Sequence, residues 1–376
     1  MTVLDFIVIG AGIAGASAAA ELSRQARVCV IERESQPGYH STGRSATLFS
    51  EIYGNSTIRG LSRASRQFLF EPPSGFTENA LVRPRGVLYY ASAELSAEFD
   101  AFRSEPDVAR DIVLLSPQAA HDLVPILKPE LLVNAALEAM ATDIDANSLL
   151  AGHIRALRSN GAQLVADSTI VAIEYSQGQW QVRTQNDTFT APVLINAAGA
   201  WADQVAQLAG VAAVGLQPMR RTALLIDAPA GHAIASWPMA FDVSETVYFK
   251  PDAGKLLLSP ADETPVPPGD AQPDEYDVAV AVDRFEQATG QVVARVQHRW
   301  AGLRTFARDR TPVVGFDADA AGFFWLAGQG GYGIQTSPAL SRVAAALASG
   351  KQIPDDIRAE GVSADSLSPR RLQMPV

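Results

Sequence analysis

Hydrophobic positions at the start of the chain come in runs and do not alternate with polar ones. Residues 4–9, LDFIVI, are apolar except for Asp5, and residues 27–32, RVCVIE, hold a second run, VCVI, between charged residues. Such runs predict strands buried on both faces, as in a parallel sheet. Between them, residues 10–23 are rich in glycine, alanine and serine, which predicts a closely packed helix. Strand, glycine turn, helix and strand make one βαβ unit, right-handed in nearly all proteins. Further strands are predicted at 86–91, 112–114, 163–174, 180–184, 193–195, 222–226, 246–249 and 255–258. Their irregular spacing does not suit a simple alternation of strand and helix, so some belong to a second, largely antiparallel sheet. Residues 262–275 contain Pro265, Pro267, Pro268 and Pro273 among acidic side chains and read as an exposed loop. Residues 338–349 repeat apolar positions at helical spacing and stop before Gly350. The fold class is therefore α/β. A Rossmann-type nucleotide-binding domain (1–76, 142–215 and 300–376) is joined to an α+β substrate domain with a mostly antiparallel sheet (77–141 and 216–299).

Composition narrows the partners. With 376 residues, 47% of them hydrophobic, the chain can bury one large core or two intermeshed ones. A formal net charge of −11 argues against nucleic acid and against an anionic membrane. No segment reaches 18 uninterrupted apolar residues, so no transmembrane helix is expected, and Asp5 stands where a signal peptide would be basic. The expectation is a cytoplasmic monomer. Cys29 is the only cysteine, which excludes an internal disulfide and any multi-cysteine metal site. Its place inside VCVI reads as a packed strand thiol, and no metal is expected.

The turn after the first strand is VIGAGIAG, which places Gly10, Gly12 and Gly15 in the spacing G-x-G-x-x-G. Gly10 permits the tight turn, Gly12 lets the backbone approach a pyrophosphate, and Gly15 lets helix and sheet pack closely. Gly12, Ile13 and Ala14 then open the helix, whose free N–H groups and positive dipole end suit phosphates. Glu32, ending the second strand, can accept hydrogen bonds from ribose hydroxyls and disfavours a 2′-phosphate. These features point to FAD or NAD and do not choose between them.

The choice comes from motifs spread along the chain: VIGAGIAGAS, QPGYHSTGRSA (36–46), INAAGAWAD (195–203), LQPMRRTA (216–223), YFKPDAG (248–254), WAGLRTF (300–306), GQGGYGIQTS (328–337) and LSPRRL (367–372). In these the sequence resembles the FAD-dependent D-amino acid oxidase and dehydrogenase (DAO) family, and within it bacterial D-arginine dehydrogenases. The resemblance implies that family's glutathione-reductase-like fold and dissociable FAD, with His40 the first residue to examine for a covalent link. It implies cofactor contacts from Arg33, from Ser41, Thr42, Gly43, Arg44 and Ser45, and from Ala198 and Gly199. Gly330, Gly331, Tyr332, Gly333, Ile334 and Gln335 are implied at the pyrimidine edge of the flavin.

By the same resemblance Arg221 and Arg304 would clamp a substrate carboxylate, assisted by Tyr53 and Tyr248, while the carbonyl of Gly331 orients the amine. The implied reaction is oxidative deamination of a D-amino acid, with electrons passing to oxygen or a quinone. Leu48, Ser50 and Val87 would line the side-chain pocket. Leu48 and Val87 stand where D-arginine dehydrogenases have histidine and glutamate, and Glu51 is expected in solvent, so the pocket reads as apolar and suited to neutral side chains. Two alternatives keep the flavin: oxidation of an N-methyl amino acid, glycine or a 2-hydroxy acid, and a sensor without turnover.

Overall fold

The computed structural model describes residues 4–372. Strands Phe6–Ile9 and Val28–Ile31 pair in parallel at the centre of a six-stranded sheet and flank the helix Ile13–Leu22 in the chain. The full strand order is Val313–Phe316, Phe323–Ala327, Val193–Asn196, Phe6–Ile9, Val28–Ile31, Gln163–Val165. All neighbours are parallel except the pair at the first-named edge. Both faces are covered, which is why these strands read as unbroken apolar runs. The burial of Cys29 follows from this, and desolvation pushes its thiol up to about 12.

A second, nine-stranded sheet is mostly antiparallel and carries the long strand pair Gln217–Asp227 and Val296–Phe306. The expected division at residue 300 falls inside the second of these strands, which the apolar pattern of WAGLRTF did not reveal. A small sheet of Leu48–Phe49, Thr142–Ile144 and Val82–Pro84 lies off both large sheets. A separate antiparallel meander is made from Ile170–Ser176, Gln179–Thr184 and Thr188–Ala191.

Two boundaries differ from expectation for local reasons. The predicted strand 163–174 is two strands in different sheets, broken where Asp167 takes a positive φ of 50°. The last long helix begins at Gly333 and not near Pro338, which lies inside it. Pro338 has no N–H to offer the carbonyl four residues back, that of Ile334, and the Ser337 hydroxyl donates to that carbonyl at 2.9 Å instead.

Candidate active site

A cavity of ≈ 380 Å³ opens where the glycine turn, the segment after Gly38 and the loop before the last long helix converge. Gly10 takes φ +99°, and a β-carbon there would meet the Ala197 carbonyl oxygen at 2.6 Å, so only glycine fits. Gly12 lies on the cavity wall with Ile13 and Ala14. Gly15 is off the wall: its missing β-carbon would stand 2.0 Å from the Gly10 carbonyl oxygen, which is what lets the helix close onto the turn. Thr42 Oγ1 accepts the Ile13 N–H at 3.0 Å, and Gly43 N–H closes a turn onto the Gly38 carbonyl at 2.7 Å.

At one end of the cavity Glu32 accepts from the backbone N–H groups of Ala11 (2.6 Å) and Glu34 (2.9 Å). Arg33 lies 4.5 Å over the Trp201 ring, and His40 sits 2.9 Å from Glu34 at the same end, its ring tilted against Trp201. Ser41 donates to the Leu303 carbonyl at 2.7 Å, and Arg44 bonds Asp270 and the carbonyls of Ala271 and Ala301, so both tie this segment to the second sheet. Ser45, Ala198 and Gly199 complete this stretch of wall.

The opposite end is cationic. Arg304 lines the cavity, and its guanidinium donates to the Tyr53 hydroxyl at 3.4 Å. Arg221 is buried and already engaged, donating to the Asp262 carbonyl at 2.7 Å and to Glu263 at 3.2 Å. Glu263 is also held by Arg310 at 2.8 Å. Burial would raise the Glu263 carboxyl, but the guanidiniums of Arg310, Arg221 and Arg304 hold it below its ordinary range. Three guanidiniums thus face one carboxylate, and among the described residues Arg304 is in no ion pair. Tyr248 is buried on the same wall; burial would raise its phenol, yet Arg304 and Arg221 bring it below its usual value. Gly330, with φ +55°, and Gly331 pass beside this cluster. A β-carbon on Gly331 would come 3.0 Å from the Arg304 guanidinium, so a side chain there would have to push that charge aside.

Several expected residues lie elsewhere. Gly333 and Ile334 line the cavity, but Tyr332 and Tyr53 face a second cavity of ≈ 360 Å³ with Tyr89, Phe102, Phe241 and Arg310. The Gln335 side chain turns inward, accepting from Ser50 N–H at 3.1 Å and donating to Ser62 at 2.9 Å. Val87 and Leu48 are off both cavity walls and pack in an apolar cluster with Met239, Tyr89 and Tyr248. Glu51, expected in solvent, is half-buried and pairs with Arg66 at 3.3 Å. Ser50 is buried and donates at 2.9 Å to Glu138, a buried acid that no motif in the sequence marks. Glu263, Arg310 and Trp201 escaped the sequence reading for the same reason, since their place depends on which strands and loops meet.

Comparison with known proteins identifies the class. The model of the FAD-dependent oxidoreductase family DAO matches residues 5–347. The chain belongs to that family. A glycine oxidase of Geobacillus kaustophilus is 24% identical over 369 residues, covering 94% of this chain and 95% of that enzyme. The crystal structure of a glycine oxidase from that organism superposes with a TM-score of 0.80 at 23% identity, over 93% of this chain and 95% of the other. An L-proline dehydrogenase from P. horikoshii superposes with a TM-score of 0.81 at 21% identity, over 96% and 99%. The finer likeness to D-arginine dehydrogenases rests on the motifs alone.

As a DAO-family FAD-dependent oxidoreductase the chain takes FAD as its cofactor, and the residues present fit it. The wall at Gly12 has no side chain to block a pyrophosphate, the helix Ile13–Leu22 begins there, and Glu32 stands at the strand end where ribose hydroxyls fall. Among the described residues no helix is long and apolar enough to cross a membrane.

Proposed function

We propose that this chain oxidises the Cα–N bond of a D-amino acid with a neutral, apolar side chain, giving an imine that water hydrolyses to a 2-keto acid and ammonia. FAD, when bound, would supply the two-electron acceptor for the hydride that Cα loses, while the amine loses a proton. The observation that carries the reading is Arg304. A guanidinium on a cavity wall without a carboxylate partner is costly to keep, and a substrate carboxylate accepts its planar fork of donors in two bonds. Tyr53 and Tyr248 add hydroxyls to the clamp, while Arg221, held by Glu263, contributes charge more than free donors. Gly331 runs beside Arg304, and its carbonyl is the acceptor proposed for the amine. With the carboxylate and the amine both fixed, the two enantiomers exchange the positions of Cα–H and side chain, so only one of them can react.

The test is anaerobic mixing of the FAD-loaded protein with D-leucine, L-leucine, glycine, sarcosine and a 2-hydroxy acid while flavin absorbance is followed. D-leucine is expected to bleach the flavin fastest. Faster reduction by glycine, sarcosine, the hydroxy acid or L-leucine replaces the substrate reading with that donor, and no reduction by any of them removes the enzyme reading for this site.

A further inference from the structure

One acid near the candidate site has no role so far. Val87 and Glu138 stand opposite each other in antiparallel register, so both side chains occupy one face of the large sheet. The adjoining ladders extend that face: Met239 opposes Val87, Phe241 opposes Tyr89, and Tyr248 opposes Phe241. Tyr248 lines the main cavity, which makes the Glu138 face the one turned toward the site. Glu138 is 2% exposed and, among the described residues, in no ion pair. Its carboxyl accepts from Ser50 Oγ at 2.9 Å, from Tyr89 Oη at 3.2 Å and from the Glu51 N–H at 3.3 Å. Tyr89 lines the second cavity, so a single phenol separates this acid from the space beside Tyr53.

We propose that Glu138 is a positioning residue that sets the charge preference of the second cavity, beside Tyr53 and Tyr89, as the chamber for the substrate side chain. Protonated, it donates its O–H to the Ser50 hydroxyl oxygen, and the wall it forms with Ser50 and Tyr89 is neutral and suits apolar side chains. Ionised, it supplies the negative charge that a cationic side chain needs, and such a substrate therefore binds with release of one proton. The neighbouring carboxylates are already engaged, Glu51 with Arg66 and Asp111 with Arg110, which leaves Glu138 to take that part. Burial pushes the Glu138 carboxyl up to about 8 against the pull of Ser50, Tyr89 and the Glu51 N–H, and the Asp111 carboxylate pushes the same way. The Tyr89 phenol is driven well above its ordinary value by burial and by Glu138, so it stays protonated throughout.

The inference rests on the amino-acid reading of the site, and its test separates the two. In the holoenzyme kcat/KM is measured for D-arginine and D-leucine from about pH 6 to about pH 9.5. The ratio of the two cancels the titration of the α-amine they share. It is expected to rise on the order of tenfold per pH unit up to about pH 8 and then level, and to be independent of pH in Glu138→Gln. A flat ratio in the unmodified protein, or the same rise in the variant, overturns the proposal. Thermal unfolding of both forms supplies a readout without turnover. The unfolded glutamate titrates near 4.5 and the folded one near 8, so the stability owed to the bound proton is complete below the first value. It is lost as pH rises toward the second. The Tm of the unmodified protein should fall relative to Glu138→Gln over that window and then run parallel to it. A constant Tm difference overturns the buried proton. Failure of both amino acids to reduce the flavin, with the Tm result as expected, removes the substrate reading and the chamber role with it while the proton on Glu138 stands.

Discussion

Arg221 and Arg304 carry the same charge in different company. Arg221 is bound by Glu263 and the Asp262 carbonyl before any ligand arrives, whereas among the described residues Arg304 has only the Tyr53 hydroxyl. In the proposed clamp, removing Arg304 takes away donors that a bound carboxylate must replace from water. Arg304→Met should therefore keep FAD and lose about 2 to 5 kcal/mol in kcat/KM. Arg221→Met should cost less, because Glu263 keeps its bond to Arg310 and the cluster keeps two guanidiniums. Steady-state kinetics with flavin stoichiometry on both variants measures this, and equal losses would show that Arg221 meets the substrate as directly as Arg304. At this scale the two arginines of the proposed clamp were legible as motif residues, but which of them lacks a carboxylate was not. That depends on Glu263, which the sequence places in a proline-rich loop with no sign of its partner.

Among the elements, the glycine turn and the helix Ile13–Leu22 set the geometry of the cofactor end. Their contact is closer than any side chain allows, since a β-carbon at Gly15 would overlap the Gly10 carbonyl oxygen at 2.0 Å and crowd Ala197 Cβ at 3.2 Å. The obstruction at Gly15 is backbone, so it can be relieved only by moving the helix away from the turn. Gly15→Ala should therefore lower Tm and flavin content together, by contrast with Gly269→Ala, where φ is not positive and a β-carbon has no neighbour nearer than 4.0 Å. Flavin absorbance per protein and a melting curve decide it, and full flavin content in Gly15→Ala would show that the turn tolerates a shifted helix. The strand Val296–Phe306 gives the opposite lesson. Its apolar pattern is weak because it is half-buried along much of its length, and it is held by ten paired positions with Gln217–Asp227 that lie far away in sequence.

For the whole molecule, the cofactor end and the cationic end belong to one cavity shared by the two large sheets. FAD bound across it bridges parts of the fold that otherwise meet through side chains such as Ser41 and Arg44. Added FAD should raise Tm, with a stabilisation of about 2.7 kcal/mol at a hundredfold excess over its dissociation constant. Acid precipitation should leave the flavin in the supernatant, because Cys29 is buried in the parallel sheet and His40 is engaged with Glu34 at the Glu32 end. Colour retained in the pellet would indicate a covalent bond and point first to His40.

What the sequence determined by itself is local chemistry: the parallel strand pair from its unbroken apolar runs, the dinucleotide turn from three glycines, and the cofactor from motifs in a fixed order. Those features depend on residues near one another in the chain, where backbone sterics and burial leave few options. The side-chain wall was decided only by the tertiary structure. Leu48 and Val87 read as apolar lining, yet both are packed away from the cavities, and the acid beside them, Glu138, comes from a strand about fifty residues further along. Its meeting with Val87 is a matter of strand register, which long-range pairing fixes and no local pattern encodes.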